Sequence, residues 1–144
     1  MLDIGSGGGF PAILLAIMNP SWRFVLCEST TKKTNFLIHL VKELSLEKNI
    51  RIENVRVEAY KDRSTKFDLV TARAVAKLNE LINYAMPLLK ENGCLIAYKA
   101  KDIASEIKAA EKLIKKNDLK LTVFSKEINK VERKLVVLSN PSSF

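Results

Sequence analysis

The chain has 144 residues, 47% of them hydrophobic and 28% charged, which fits one soluble domain spanning 1–144 with a core that needs neither disulfides nor metal. Its longest apolar stretch, residues 13–18, is too short to cross a bilayer, and no basic segment of a signal peptide opens the chain, so a membrane partner is not expected and the cytoplasm is. Lys plus Arg is 24 against Asp plus Glu 16, a net charge of +8, an excess that suggests a polyanionic partner.

Met1-Leu2-Asp3-Ile4 reads as the tail of a buried strand, so the sequence is expected to begin inside its first strand, with upstream sequence missing. Gly5-Ser6-Gly7-Gly8-Gly9 follows at once. Pro11 then suits the first turn of a helix, where its absent N–H is not needed, and Asn19-Pro20 ends that helix. Residues 23–27 form a short apolar strand that stops at Glu28. Thr30 or Thr31 is placed to cap the next helix, in which Phe36, Leu37, Leu40, Val41 and Leu44 share one face.

Residues 50–57 alternate apolar and polar as a half-exposed strand does. Residues 67–72 form a compact apolar strand. Leu78, Leu81, Ile82, Ala85, Leu88 and Leu89 mark an amphipathic helix that Asn92-Gly93 is expected to end. Residues 94–98 make a further strand, and Ile103, Ile107, Ala110 and Ile114 a Lys-rich helix. Its Lys108, Lys112, Lys115 and Lys116 read as a solvated face. Strands near 119–124 and 134–138 follow with no helix between them and are expected to pair as a hairpin. Strands alternating with helices imply an α/β fold with a mostly parallel sheet covered by helices. Cys27 and Cys94 both lie in apolar runs without a second ligand at metal spacing, so they read as reduced core thiols and no metal site is expected.

A glycine-rich string between a strand and a helix is a nucleotide-site signal. Glycines permit a tight turn and a close approach of backbone to ligand. A dinucleotide fingerprint needs a third glycine for helix–strand packing, and that position is Phe10. The run reads instead as Asp-x-Gly-x-Gly-x-Gly, similar to the first motif of S-adenosylmethionine-dependent methyltransferases. Glu28, one strand–helix–strand unit later, is placed to accept hydrogen bonds from ribose hydroxyls.

Longer strings are more specific. Residues 2–11, Leu2-Asp3-Ile4-Gly5-Ser6-Gly7-Gly8-Gly9-Phe10-Pro11, closely resemble the opening of the RsmG (GidB) family of 16S ribosomal RNA guanine-N7 methyltransferases. So do Glu28-Ser29-x-x-Lys32-Lys33-x-x-Phe36-Leu37, Arg56-Val57-Glu58, Phe67-Asp68-x-Val70-Thr71-Ala72-Arg73-Ala74, the strand ending in Lys99, and Arg133. The resemblance implies a Rossmann-like class I methyltransferase fold with a C-terminal antiparallel hairpin, and methyl transfer from S-adenosyl-L-methionine to N7 of a guanine in 16S rRNA of the small ribosomal subunit.

It further implies a cofactor site of Asp3, Gly5, Ser6, Gly7, Gly9, Phe10, Glu28, Val57, Glu58 and Arg73. RNA contacts are expected at Lys32, Lys33, Lys99, Lys101, Arg133 and Lys134. No catalytic residue is assigned, since N7 carries a lone pair and no proton to remove; the single histidine, His39, reads as structural. A monomer is expected. Three departures stand out: Ala12-Ile13-Leu14 replaces a Gly-x-Pro, Ala100 replaces the glycine after Lys99, and the family's upstream helical segment is absent. That absence leaves open an inactive remnant that binds only cofactor or RNA. An NAD-dependent oxidoreductase is a further alternative, which Phe10 disfavours.

Overall fold

A computed structural model describes residues 1–62, 64–99 and 103–141. The chain forms two compact units, Met1–Asp62 and Arg63–Phe144.

In the first unit, β1 (Leu2–Ile4), α1 (Ala12–Met18), β2 (Phe24–Cys27), α2 (Thr31–Glu43) and β3 (Ile50–Glu53) follow in order, then a single 3₁₀ turn at Val57–Ala59. β2 is central and runs parallel to both neighbours, with Leu2 opposite Val25 and Phe24 opposite Ile50. Every residue of β1 and β2 is buried; β2 is the continuous apolar run that parallel strands covered on both faces require, whereas β1 carries the buried polar Asp3 between Leu2 and Ile4. α1 ends where expected: the Asn19 side chain donates to the Leu15 carbonyl at 2.9 Å, just before Pro20.

α2 differs from the expected pattern. Its buried residues are Thr34, Leu37 and Val41, spaced i, i+3, i+7, while Phe36 and Leu44 are 51% and 40% exposed. Phe36 sits about 100° round the helix from Leu37, and Leu44 is the cap residue beyond the last turn. Thr30 occupies the N-cap position, but its side chain makes no capping bond. His39 is exposed on this helix. β3 stops at Glu53, four residues short of the expected end. There Asn54 leaves the strand and its side-chain amide donates to the Glu28 carbonyl at 3.0 Å and the Thr34 hydroxyl at 2.9 Å.

The second unit holds β4 (Phe67–Arg73), α3 (Leu78–Ala85), a 3₁₀ turn at Met86–Leu88, β5 (Leu89–Lys99), α4 (Ala104–Lys116), β6 (Lys120–Ile128) and β7 (Val131–Ser139). β4 and β5 are parallel, and β7 is antiparallel to both β5 and β6. The order is therefore β4-β5-β7-β6, closed by the expected hairpin. Its turn residues Asn129 and Lys130 have φ of 51° and 62°, the left-handed pair that matches strand twist. Leu81, Ile82, Leu88, Leu95, Val136 and Leu138 are at most 1% exposed, and each stabilises the unit by roughly 1.5–3 kcal/mol relative to exposure.

α3 is shorter than the sequence pattern suggests. Pro87 has no N–H to send back to Asn83, so the helix gives way to the 3₁₀ turn after Ala85. Asn92-Gly93 therefore ends no helix; it lies inside β5, where the register against β4 jumps from Phe67–Leu89 to Leu69–Cys94. A Cβ at Gly93 would lie 2.8 Å from the Phe67 carbonyl oxygen, so glycine is required by the close strand approach at this bulge. α4 exposes Lys108, Lys112, Lys115 and Lys116 and buries Ala110, as expected of a solvated face.

Candidate functional site

Because β1, β2 and β3 are parallel, their carboxyl ends share one edge of the first unit. The loops after them carry Gly5–Gly9, Glu28–Thr30 and Asn54–Tyr60. Parallel α/β sheets bind ligands at this edge.

The glycine loop is tied to the strand end by main-chain bonds. The N–H groups of Gly5 and Ser6 both donate to the Cys27 carbonyl, at 2.8 and 3.1 Å, and Gly9 donates to Ser6 at 2.7 Å. The buried Ser6 hydroxyl donates to the Asp3 carbonyl at 3.2 Å. Gly5, Gly7 and Gly9 have φ of 66°, 54° and 90°, so the alternating glycines read from the sequence are the ones the backbone needs. Gly9 is also packed: a Cβ there would meet Ile13 Cγ1 at 2.5 Å and Leu37 Cδ2 at 3.3 Å. Gly8 has nothing within 4 Å of a built Cβ. Phe10 follows with 48% of its surface exposed.

Glu28 is 5% exposed. One carboxylate oxygen accepts the Gly7 N–H at 2.9 Å and the other the Thr30 N–H at 2.8 Å. Burial opposes its ionisation, but the N–H groups of Thr30 and Gly7, the Thr30 side chain and the Lys33 charge outweigh it and hold the carboxyl below its usual range. The group is thus an anion with two of about four acceptor positions taken by backbone N–H groups and a third by the Thr30 side chain. The remaining position could accept a ligand hydroxyl. Thr34 and Asn54 escaped the sequence reading. Thr34 bonds the carbonyls of Glu28 and Thr30, each at 3.2 Å, and with Asn54 fixes the loop after β2. The available signal was a polar residue on the buried face of α2.

Val57 is buried in the 3₁₀ turn after β3, and Glu58 beside it is exposed. Nearby, Arg51 bonds the Tyr60 hydroxyl at 2.8 Å and Glu53 at 3.0 Å. Cys27 offers no nucleophile: burial, with a further push from Glu53, raises its thiol to about 12. Lys32 and Lys33 are exposed in the first turn of α2.

In the second unit, Arg73 ends β4 and is exposed, followed by Ala74 with φ of 55°. Lys99 is not a free surface cation. Its Nζ donates to the Ala76 carbonyl at 2.8 Å and to Glu106 at 2.7 Å, and the same Glu106 oxygen accepts the Leu78 N–H at 2.9 Å. Lys99 thereby clamps the segment after Arg73 and the start of α3 onto α4. Lys134 pairs with Glu132 at 3.3 Å, whereas Arg133 is exposed. Lys101 and Ala100 lie outside the described residues. No helix among the described residues is long and apolar enough to cross a membrane.

The fold is that of the Rossmann-like class I methyltransferases: an S-adenosylmethionine-dependent O-methyltransferase from Thermotoga maritima superposes with a TM-score of 0.76 at 13% identity, over 96% of this chain and 58% of that one. Within that class, the model of the GidB family, rRNA small subunit methyltransferase G, matches residues 1–136, and the chain belongs to this family. The ribosomal RNA small subunit methyltransferase G of Thermotoga petrophila is 40% identical over 122 residues, 84% of this chain and 53% of that protein. The corresponding protein of Malacoplasma penetrans is 44% identical over 117 residues, 81% of this chain and 49% of that protein. The chain thus spans about half the length of the curated relatives it matches.

Proposed function

We propose that this chain is the cofactor-binding core, 1–144, of an S-adenosyl-L-methionine-dependent methyltransferase that modifies N7 of a guanine in 16S rRNA of the small ribosomal subunit. The observation that carries the reading is the bond from Gly7 to Glu28, which joins the glycine loop to a buried anion in a chain of the rRNA small subunit methyltransferase G family. When bound, S-adenosylmethionine supplies a methyl group activated by its sulfonium.

The residues fit that cofactor. Asp3, Gly5, Ser6, Gly7, Gly9 and Phe10 would border its methionine end, where Gly8 leaves space for close approach. Glu28 would accept from the ribose hydroxyls at the position its contacts with Gly7 and Thr30 leave unused. Val57 and Glu58 would border the adenine, and Arg73 would meet the cofactor carboxylate or an RNA phosphate. Guanine N7 holds a lone pair and no proton, so transfer needs no general base. The chain's task is to position the two reactants in line, a contribution worth up to roughly 7–11 kcal/mol of the barrier. Lys32, Lys33 and Arg133 are the exposed cations for RNA phosphates. The protein would act as a cytoplasmic monomer.

Transfer of tritiated methyl from S-adenosylmethionine to small ribosomal subunits lacking the modification tests the reading. Label in 16S rRNA that pre-methylated subunits do not take up is the expected result. Label elsewhere, or none despite saturable cofactor binding, counts against it.

A further inference from the structure

Among the described residues, β5 pairs with β7 as far as Lys99 opposite Lys134. Beyond that point the described residues of β6 and β7 continue as a two-stranded arm, from Lys126 opposite Arg133 to Ile128 opposite Val131, around the Asn129-Lys130 turn. Side chains of cross-strand partners share a face, and successive pairs alternate faces. The arm therefore has two unlike sides. One carries Glu127 opposite Glu132, with Glu132 further engaged by Ser125 at 2.6 Å and by Lys134 at 3.3 Å. The other carries Lys126 opposite Arg133, flanked by Phe124 and by Ile128 opposite Val131.

Like charges directly across a ladder destabilise it. On the acidic side the repulsion is relieved by Ser125 and Lys134. On the basic side, no side-chain hydrogen bond or ion pair engages Lys126 or Arg133 among the described residues. The same side exposes apolar surface: Phe124 is 58%, Ile128 51% and Val131 38% exposed. Paired cations beside an exposed aromatic ring match a nucleic-acid strand, whose phosphates neutralise the cations and whose bases stack on the ring. An acidic face directly behind restricts such a partner to one side.

We infer that the basic side of this arm, Phe124 with Lys126 and Arg133, is a contact surface for single-stranded or loop RNA. The inference rests on the rRNA-methyltransferase reading for the identity of the RNA. It adds a surface made of Phe124 and Lys126, with Arg133 as a paired rather than an isolated phosphate contact.

The test compares three variants of the chain with the unsubstituted protein: the double substitution Lys126→Gln/Arg133→Gln, Phe124→Ala, and Glu127→Gln as the opposite-side control. Binding to a fluorescein-labelled unmodified 16S rRNA stem-loop is followed by anisotropy across a salt series, with cofactor affinity and melting temperature measured in parallel. The double variant should lower the slope of log K against log salt by roughly 1.4–1.8, leave cofactor affinity unchanged, and melt no lower than the parent. Phe124→Ala should weaken RNA binding about tenfold, and Glu127→Gln should not weaken it.

An unchanged slope and affinity in the double variant overturns the inference, as does an equal loss in Glu127→Gln or absence of RNA binding by the parent. Absence of cofactor binding by a parent that still binds RNA through the arm overturns the methyltransferase reading instead. The two failures are therefore distinct.

Discussion

The carboxylate of Glu28 accepts the backbone N–H of Gly7 at 2.9 Å across 21 residues of sequence. A side chain placed to hold a ligand thus also holds the loop that shapes the rest of the site. Replacing Glu28 by Ala should have two consequences: weaker S-adenosylmethionine binding, and a stability loss of about 1–3 kcal/mol as two N–H groups lose their acceptor. Calorimetric titration and thermal melting measure both. Unchanged cofactor affinity would remove Glu28 from the site.

The same residue sets a pH dependence. Its folded carboxyl lies below the ordinary value of 4.5, so its contribution is fully present above pH 4.5 and declines as pH falls through the depressed folded value. Glu28→Gln should therefore flatten the acid side of the stability profile and leave its shape near neutrality unchanged. Urea titrations from pH 3 to 7 would show this as a smaller stability difference between the two proteins at the acid end. A difference that stays constant with pH contradicts it.

Gly8 and Gly9 should respond oppositely to alanine. At Gly9 the added carbon meets Ile13 and Leu37 at a φ of 90°, a strained conformation costing about 1–3 kcal/mol beyond the clash. Gly9→Ala should melt well below the parent. Gly8→Ala meets nothing within 4 Å and should melt normally while binding cofactor less well, because the new methyl occupies approach space. Equal melting of the two variants would show the loop to be slacker than its packing suggests.

Lys99→Met should loosen the segment after Arg73. It removes the donor to Ala76 and leaves Glu106, which also accepts from Leu78, without its counter-charge. The group is largely buried, with 13% of the Lys99 side chain exposed, so a loss of about 1–3 kcal/mol is expected. Hydrogen exchange should quicken at Leu78 and along the first turn of α3 before it does so in β4. Uniform exchange across the unit would argue against a local clamp.

Cys27 should resist modification. With its thiol near 12 and its side chain buried, an aromatic disulfide reagent at pH 8 should label it only on unfolding. Rapid stoichiometric labelling of Cys27 in the folded protein would contradict the packing of β2.

The strands and the hairpin were legible because apolar runs and their spacing depend on burial, which the sequence records directly. Gly5, Gly7 and Gly9 were legible for a different reason: their alternation matches three left-handed backbone positions. What escaped depends on competition between local signals. Asn92-Gly93 looks like a helix end, but Pro87 had already stopped α3, and Gly93 serves a bulge against Phe67. The end of β3 escaped because Asn54 is drawn off the strand by Glu28 and Thr34, partners 26 and 20 residues distant. Lys99 read as a surface cation because nothing in a sequence shows that Glu106 lies opposite it.

The two hydrogen bonds that the N–H groups of Gly5 and Ser6 donate to the single Cys27 carbonyl have a kinetic meaning. Parallel pairing of β1 with β2 requires α1 to be in place between them, so contacts across this crossover form slowly compared with the β6–β7 hairpin. The glycine loop can take its final shape only after that crossover closes. Cofactor-binding competence should therefore appear among the last events of refolding, which makes the recovery of ligand affinity a direct clock for completion of the first unit.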